Sequence, residues 1–294
     1  MADGVVAGLA RFRRDGAVEH WLHQSDRTTG VRYSLLPMIH AILANLFTRE
    51  QALRHVGLIR DHLLATDGAR LFDRPLPYRG GLQRNFQRGE TSTFFGREIG
   101  LMYMHAHLRW AQALAHLGDG QGAFHALRQA NPVGLRDVVP NARLRQANCY
   151  ASSSDADFAD RAEATARYDA VRTGAVGVEA GWRVYSSGAG IAVRLVREGL
   201  LGLRLRRSSL CIDPVLPSTL DGLVARIDLE GHAVVVRYRV GALGHGPRTI
   251  ACNGQSLAFE REPHPYRIGG AVVPMDALRE RLRDGDNAIE IELG

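Results

Sequence analysis

HAVVVRYRV, residues 232–240, decides how the second half of this 294-residue chain folds. Its side chains alternate as a half-buried strand requires, with no helical period. RTIACNG (248–254), QSLAFERE (255–262) and AIEIEL (288–293) read the same way between Gly, Asn and Pro turns. The change of texture comes after Pro214, and residues from about 205 onward are expected to be mostly β.

Upstream of that change the period is helical. VRYSLLPMIHAILANLF (31–47) is apolar enough for a buried helix, with Pro37 tolerable near its first turn. Thr48 opens TREQ, a capping-box pattern, and Ala52, Leu53, Val56, Ile59, Leu63 and Leu64 form a stripe behind it. A third helix is expected from about Arg97 to Leu117, where Ile99, Met102, Tyr103, Ala106, Trp110, Ala113, Leu114 and Leu117 recur at helical steps before Gly118. GQGAFHALRQA (120–130) is a shorter helix that stops at Asn131-Pro132, and IAVRLVREGLLGL (191–203) belongs to another reaching about Gly202. Residues 141–180 are mixed and polar. Helices first and strands second predict an α domain over 1–204 and a β domain over 205–294, and successive helix pairs of this length suit an α/α toroid.

Composition narrows the function classes. The formal charge is +6, yet the chain has no lysine, so its 37 basic residues are all Arg. They are spread from Arg11 to Arg283, with tight clusters only at FRR (12–14) and LRLRR (203–207), which argues against a nucleic-acid partner. Cys149, Cys211 and Cys252 are far apart and lack metal-ligand spacing, a pattern that fits buried thiols in a reducing cytoplasm. No apolar run approaches the length needed to insert in a bilayer, and MADGVVAGLARFRRDG lacks the order of a signal peptide.

GWRVYSSGAG (181–190) combines two hydroxyls and two glycines just where a helix begins. Ser186 or Ser187 could cap that helix, or the free N–H groups and the helix dipole could hold a phosphate. The residues alone leave both readings open.

Five stretches together carry a resemblance. LFDRPLPYRGG (71–81), FQRGETSTFFGREIGLMYMHAH (86–107), NARLRQANCYASSSDADFADR (141–161), GWRVYSSGAG (181–190) and IDPVLPSTLDG (212–222) resemble the C-terminal part of family-94 glycoside phosphorylases. They are most similar to β-1,2-oligoglucan phosphorylases and the phosphorylase-like region of cyclic β-1,2-glucan synthases. The resemblance covers nearly all of residues 20–294. It implies a partial (α/α)6 toroid followed by a small C-terminal β-sandwich-like domain, mainly α and then β.

The same resemblance implies an activity. Phosphorylases of this kind cleave a β-glucosidic bond with inorganic phosphate as co-substrate, invert the anomeric centre and give glucose 1-phosphate. They need one carboxylic acid and no other cofactor, because phosphate is itself the nucleophile. The family's acid is an Asp in a Trp-Asn-Asp motif, whereas the three tryptophans here precede Leu22, Ala111 and Arg183. The expectation is therefore that no catalytic acid lies within this chain, which would be a C-terminal fragment inactive alone.

By resemblance, His105 and either Ser186 or Ser187 contact phosphate. Each has an alternative. His105 lies beside the apolar stripe, where a packing histidine is also reasonable, and His107 is expected at the surface or between helices. Trp182 and Tyr185 could stack on a glucose ring or anchor a core; Arg97, Glu98 and Glu90 could line a sugar subsite or form a helix-start charge pair. Asp155, Asp157 and Asp160 lack a calcium loop's Gly and Glu and read as caps and ion-pair partners, so no metal is expected. Ala162, Ala180 and Gly89 depart from the family's pattern.

The expected partners are a β-glucan or glucose 1-phosphate, together with an upstream polypeptide or a second copy that completes the site. Alternatively the chain is a non-catalytic carbohydrate-binding module or a gene remnant. Membership of a synthase would add membrane association through other parts of the assembly.

Overall fold

The computed structural model describes residues 4–75, 82, 85–86, 102–144, 155–180 and 186–294. It contains helices and several sheets, and it divides into two compact units. The first comprises Met1–Ala113 and His125–Ile191, the second Leu114–Phe124 and Ala192–Gly294.

In the first unit, helix Leu35–Leu43 buries Leu35, Met38, Ile39 and Ile42. It is shorter than the apolar run suggested, and Pro37 sits in its first turn, where a missing N–H costs nothing. Helix Arg49–His62 begins at the capping box read from the sequence. The Thr48 hydroxyl accepts from the Gln51 N–H at 3.2 Å, and the Gln51 side-chain oxygen accepts from the Thr48 N–H at 2.9 Å. Ala52, His55, Val56 and Ile59 form its buried face. Leu64–Ala65 and Gly68–Ala69 follow as a short hairpin.

The next helix runs over Met104–Leu117, not from Arg97. Residues 97–101 lie outside the described residues, but Met102 pairs antiparallel with Arg70 in an isolated bridge. An apolar side chain at 102 satisfies either environment, so the stripe continued past the true helix start. Gly120–Ala130 is helical as expected. The mixed stretch 141–180 forms a three-stranded sheet of Ala142–Leu144, Asp155–Ala156 and Val178–Ala180, with helices Arg161–Ala166 and Tyr168–Arg172. Leu135, Val139, Phe158, Ala164, Val171 and Val178 give it a core of its own.

In the second unit, strand His232–Arg239 buries Val234, Val236 and Tyr238, as its alternation required. It pairs antiparallel with Val224–Leu229 and parallel with Asn287–Leu293, within a five-stranded sheet. Leu203–Leu205, Ser209–Ile212, Glu260–Arg261 and Ala271–Pro274 form a four-stranded sheet. Both sheets feed one hydrophobic core, with Leu210, Ile212 and Val273 from one and Val236, Ile250 and Ile291 from the other. Tyr238 lies in that core with its hydroxyl donating to the Leu201 carbonyl at 2.8 Å.

Candidate functional site

His105 is the second residue of helix Met104–Leu117 and is half-buried. Its Nδ1 lies 3.4 Å from the Tyr103 hydroxyl, and the two rings are 5.5 Å apart. Burial, and then the Arg109 guanidinium one turn on, hold its pKa below the ordinary histidine value. The ring is thus neutral at pH 7 and offers one N–H and one lone pair. Arg109 donates from Nη1 to Gln112 Oε1 at 2.6 Å, which steadies a fixed positive charge on the same side of the helix.

Two residues on, His107 is fully buried. The Ala69 N–H donates to its Nδ1 at 3.0 Å, so the ring proton sits on Nε2 and is donated to the Ala126 carbonyl at 2.8 Å. Burial pushes its pKa down to about 4, against weaker opposing effects of the Ala126 bond and the Asp67 charge. Gly68 packs on this ring: at φ +128°, an added Cβ would lie 2.7 Å from His107 Nδ1. One neutral imidazole therefore ties the helix carrying His105 to the 64–69 hairpin and to helix Gly120–Ala130. Of the two places expected for His107, the interhelical one holds and the surface one does not.

Sequence reasoning missed the buried pair in the same unit. Arg70 and Asp67 are almost wholly enclosed, with Arg70 Nη2 3.4 Å from Asp67 Oδ1. The guanidinium lies 5.3 Å from the centre of the Tyr168 ring, and that phenol's pKa is raised, first by burial. The Asp-Gly at 67–68 signals a turn, but nothing in DGAR announces that its Arg is enclosed.

Helix Ser186–Arg194 opens at the two serines and continues as a π-helical stretch over Leu195–Leu200. The first turn of any helix leaves N–H groups without a partner inside the helix. A Cβ at Gly190 would meet open space, so that glycine is not imposed by crowding among the described residues. The structure gives the backbone of Ser186 and Ser187; Trp182, Tyr185, Arg97 and Glu90 lie outside the described residues.

Asp160 caps helix Arg161–Ala166 by accepting from the Glu163 N–H at 2.8 Å, and Asp157 pairs with Arg143 at 2.6 Å. Asp155 accepts from the Ala156 N–H at 3.0 Å. Asp160 and Asp157 thus take the cap and ion-pair roles read from the sequence, while Asp155 sits in a strand and takes neither in this contact. Among the described residues, no three His, Cys, Asp or Glu side chains are grouped so as to hold a metal ion. None of the helices is long and apolar enough to cross a membrane, among the described residues.

Residues 202–291 match the family of the glycoside phosphorylase C-terminal domain. Over 274 residues, 93% of this chain, the sequence is 39% identical to the 1,2-beta-oligoglucan phosphorylase of Listeria innocua serovar 6a. It is 30% identical over 135 residues, 46% of this chain, to the cyclic beta-(1,2)-glucan synthase NdvB of Rhizobium meliloti. The chain spans 25% of the length of the first relative and 4% of the second. The resemblance carried by the five motifs is thus borne out: this chain is similar to the β-1,2-glucan phosphorylases and synthases, and its residues 202–291 match the glycoside phosphorylase C-terminal domain.

Proposed function

We propose that this chain supplies the phosphate-facing and part of the sugar-facing wall of a β-1,2-oligoglucan phosphorylase. The observation that carries the reading is the 39% identity to a 1,2-beta-oligoglucan phosphorylase over 93% of the chain, a span that includes the half-buried, neutral His105. In phosphorolysis a phosphate oxygen bonds to the anomeric carbon as the glycosidic C–O bond breaks. A carboxylic acid protonates the departing oxygen, and glucose 1-phosphate of inverted configuration is formed. His105 and the helix start at Ser186 or Ser187 hold the phosphate in this reading. Trp182, Tyr185, Arg97 and Glu90 serve the sugar. Helices of residues 1–204 then form part of an α/α toroid, and residues 205–294 a sandwich-like appendage. The setting is a reducing cytoplasm, in keeping with the free, buried Cys211 and Cys252.

The sequence contains no Trp-Asn-Asp stretch, so the general acid is assigned to protein outside these 294 residues. That same observation favours a second role, a non-catalytic module that completes a site borne on another polypeptide. An assay of the purified chain with β-1,2-gluco-oligosaccharides and phosphate separates catalysis from wall-building. No glucose 1-phosphate is expected from the chain alone, since loss of acid assistance removes about a hundredfold to ten-thousandfold in rate before any loss of enclosure. Robust release would place the acid within this chain and overturn the assignment.

A further inference from the structure

We propose that Tyr103 is a positioning residue for phosphate binding, fixing His105 as the tautomer whose proton is on Nε2. The inference rests on the reading of His105 as a phosphate contact and adds to it the device that makes a neutral histidine a donor. Phosphate at neutral pH is overwhelmingly an acceptor of hydrogen bonds, so an uncharged imidazole helps only if the nitrogen facing it carries the proton. Which nitrogen does so is set by the partner of the other one. Here that partner is the phenol of Tyr103, 3.4 Å from Nδ1.

A phenol titrates near pH 10, making it a far stronger acid than a neutral imidazole N–H, while an imidazole nitrogen is the better base of the two acceptors. The pair therefore forms as O–H donating to Nδ1, which leaves the proton on Nε2. The chain on either side of the pair is tied down: Met102, just before Tyr103, bridges to Arg70, and His107, two residues after His105, is bound at both ring nitrogens. The Tyr103 side chain is half-buried, so removal of its hydroxyl leaves a ring that still packs.

The test uses the 294-residue chain labelled with ¹⁵N at histidine, and inorganic phosphate as the probe. The expected spectrum has His105 Nε2 protonated and Nδ1 bare, with Tyr103→Phe admitting the other tautomer. Loss of one neutral hydrogen bond's worth of bias should weaken phosphate binding about three- to tenfold in Tyr103→Phe. A Gln at 105 carries its own donor and needs no tautomer, so Tyr103→Phe should have no further effect in a His105→Gln background. A purely structural role for Tyr103 would weaken both backgrounds alike and overturn the proposal. A wild-type spectrum with the proton on Nδ1, beside phosphate binding that depends on His105, would overturn it while leaving the phosphate site standing. Absence of any saturable phosphate binding would overturn both.

Discussion

Asp67 and Arg70 are charged side chains 0% and 1% exposed, and each is tolerable only because the other is there. Taking both from water is costly, and removing one leaves an uncompensated buried charge, worth about 3–5 kcal/mol. Asp67→Ala should therefore destabilise the chain by about that amount in urea unfolding, far more than an exposed pair such as Arg128–Asp137 would if broken. A loss below about 1 kcal/mol would mean that the pair is solvated or replaceable. This feature was not legible in the sequence, since an Arg in a polar turn sequence looks exposed, and only its tertiary setting against Tyr168 encloses it. His105 is singled out in the sequence only by its motif: its position beside the apolar stripe suits packing as well as binding, and no period distinguishes the two. For His107 the helical spacing showed that it points away from His105, but not that Ala69 and Ala126 would take both of its nitrogens.

Elements were legible where a cap or a sustained period fixed them. The capping box at Thr48 is local chemistry, complete within four residues, and it holds as read. Thr48→Ala should cost about 1 kcal/mol by removing the acceptor for the Gln51 N–H, measurable as a lowered urea midpoint; an unchanged midpoint would show that solvent replaces it. Strand His232–Arg239 was legible from its alternation, but its parallel pairing with Asn287–Leu293 was not, because register depends on partners about fifty residues away. The two-residue strands at 64–69 and 155–156 are too short to show a period at all. Gly202, which the sequence placed only as a helix end, is required twice over. Its φ is +67°, and an added Cβ would lie 2.0 Å from the Pro214 nitrogen. Gly202→Ala should cost more than about 1 kcal/mol and lower the thermal midpoint of the second unit; a variant as stable as the parent would contradict this backbone geometry.

Across the whole molecule, a buried and a half-buried histidine, each with a depressed pKa, give stability a common pH dependence. His107 in the first unit has its pKa pushed down to about 4, chiefly by burial. In the second unit His264 is also pushed down to about 4, by burial and then by Arg267 and its neighbour His116. His264 Nε2 lies 3.3 Å from His116 Nδ1, and Asp213 faces the same group while paired to Arg267 at 2.7 and 2.8 Å. Because these folded-state values lie below the ordinary 6.5, the unfolded chain takes up protons first as pH falls. The stability they contribute is complete above about pH 6.5 and is lost progressively toward pH 4. Thermal midpoints measured from pH 8 to pH 4.5 should decline through that window, and less steeply in His264→Asn; a flat profile would show these rings to be solvated.

In the proposed function the chain builds a phosphate-binding wall around His105. The most direct test is a ³¹P NMR titration of inorganic phosphate with the wild-type chain and with His105→Ala at pH 7. Saturable binding is expected, weakening about tenfold or more when the imidazole is removed, with the fold intact by circular dichroism. Equal binding by the two proteins, or none by either, would contradict it.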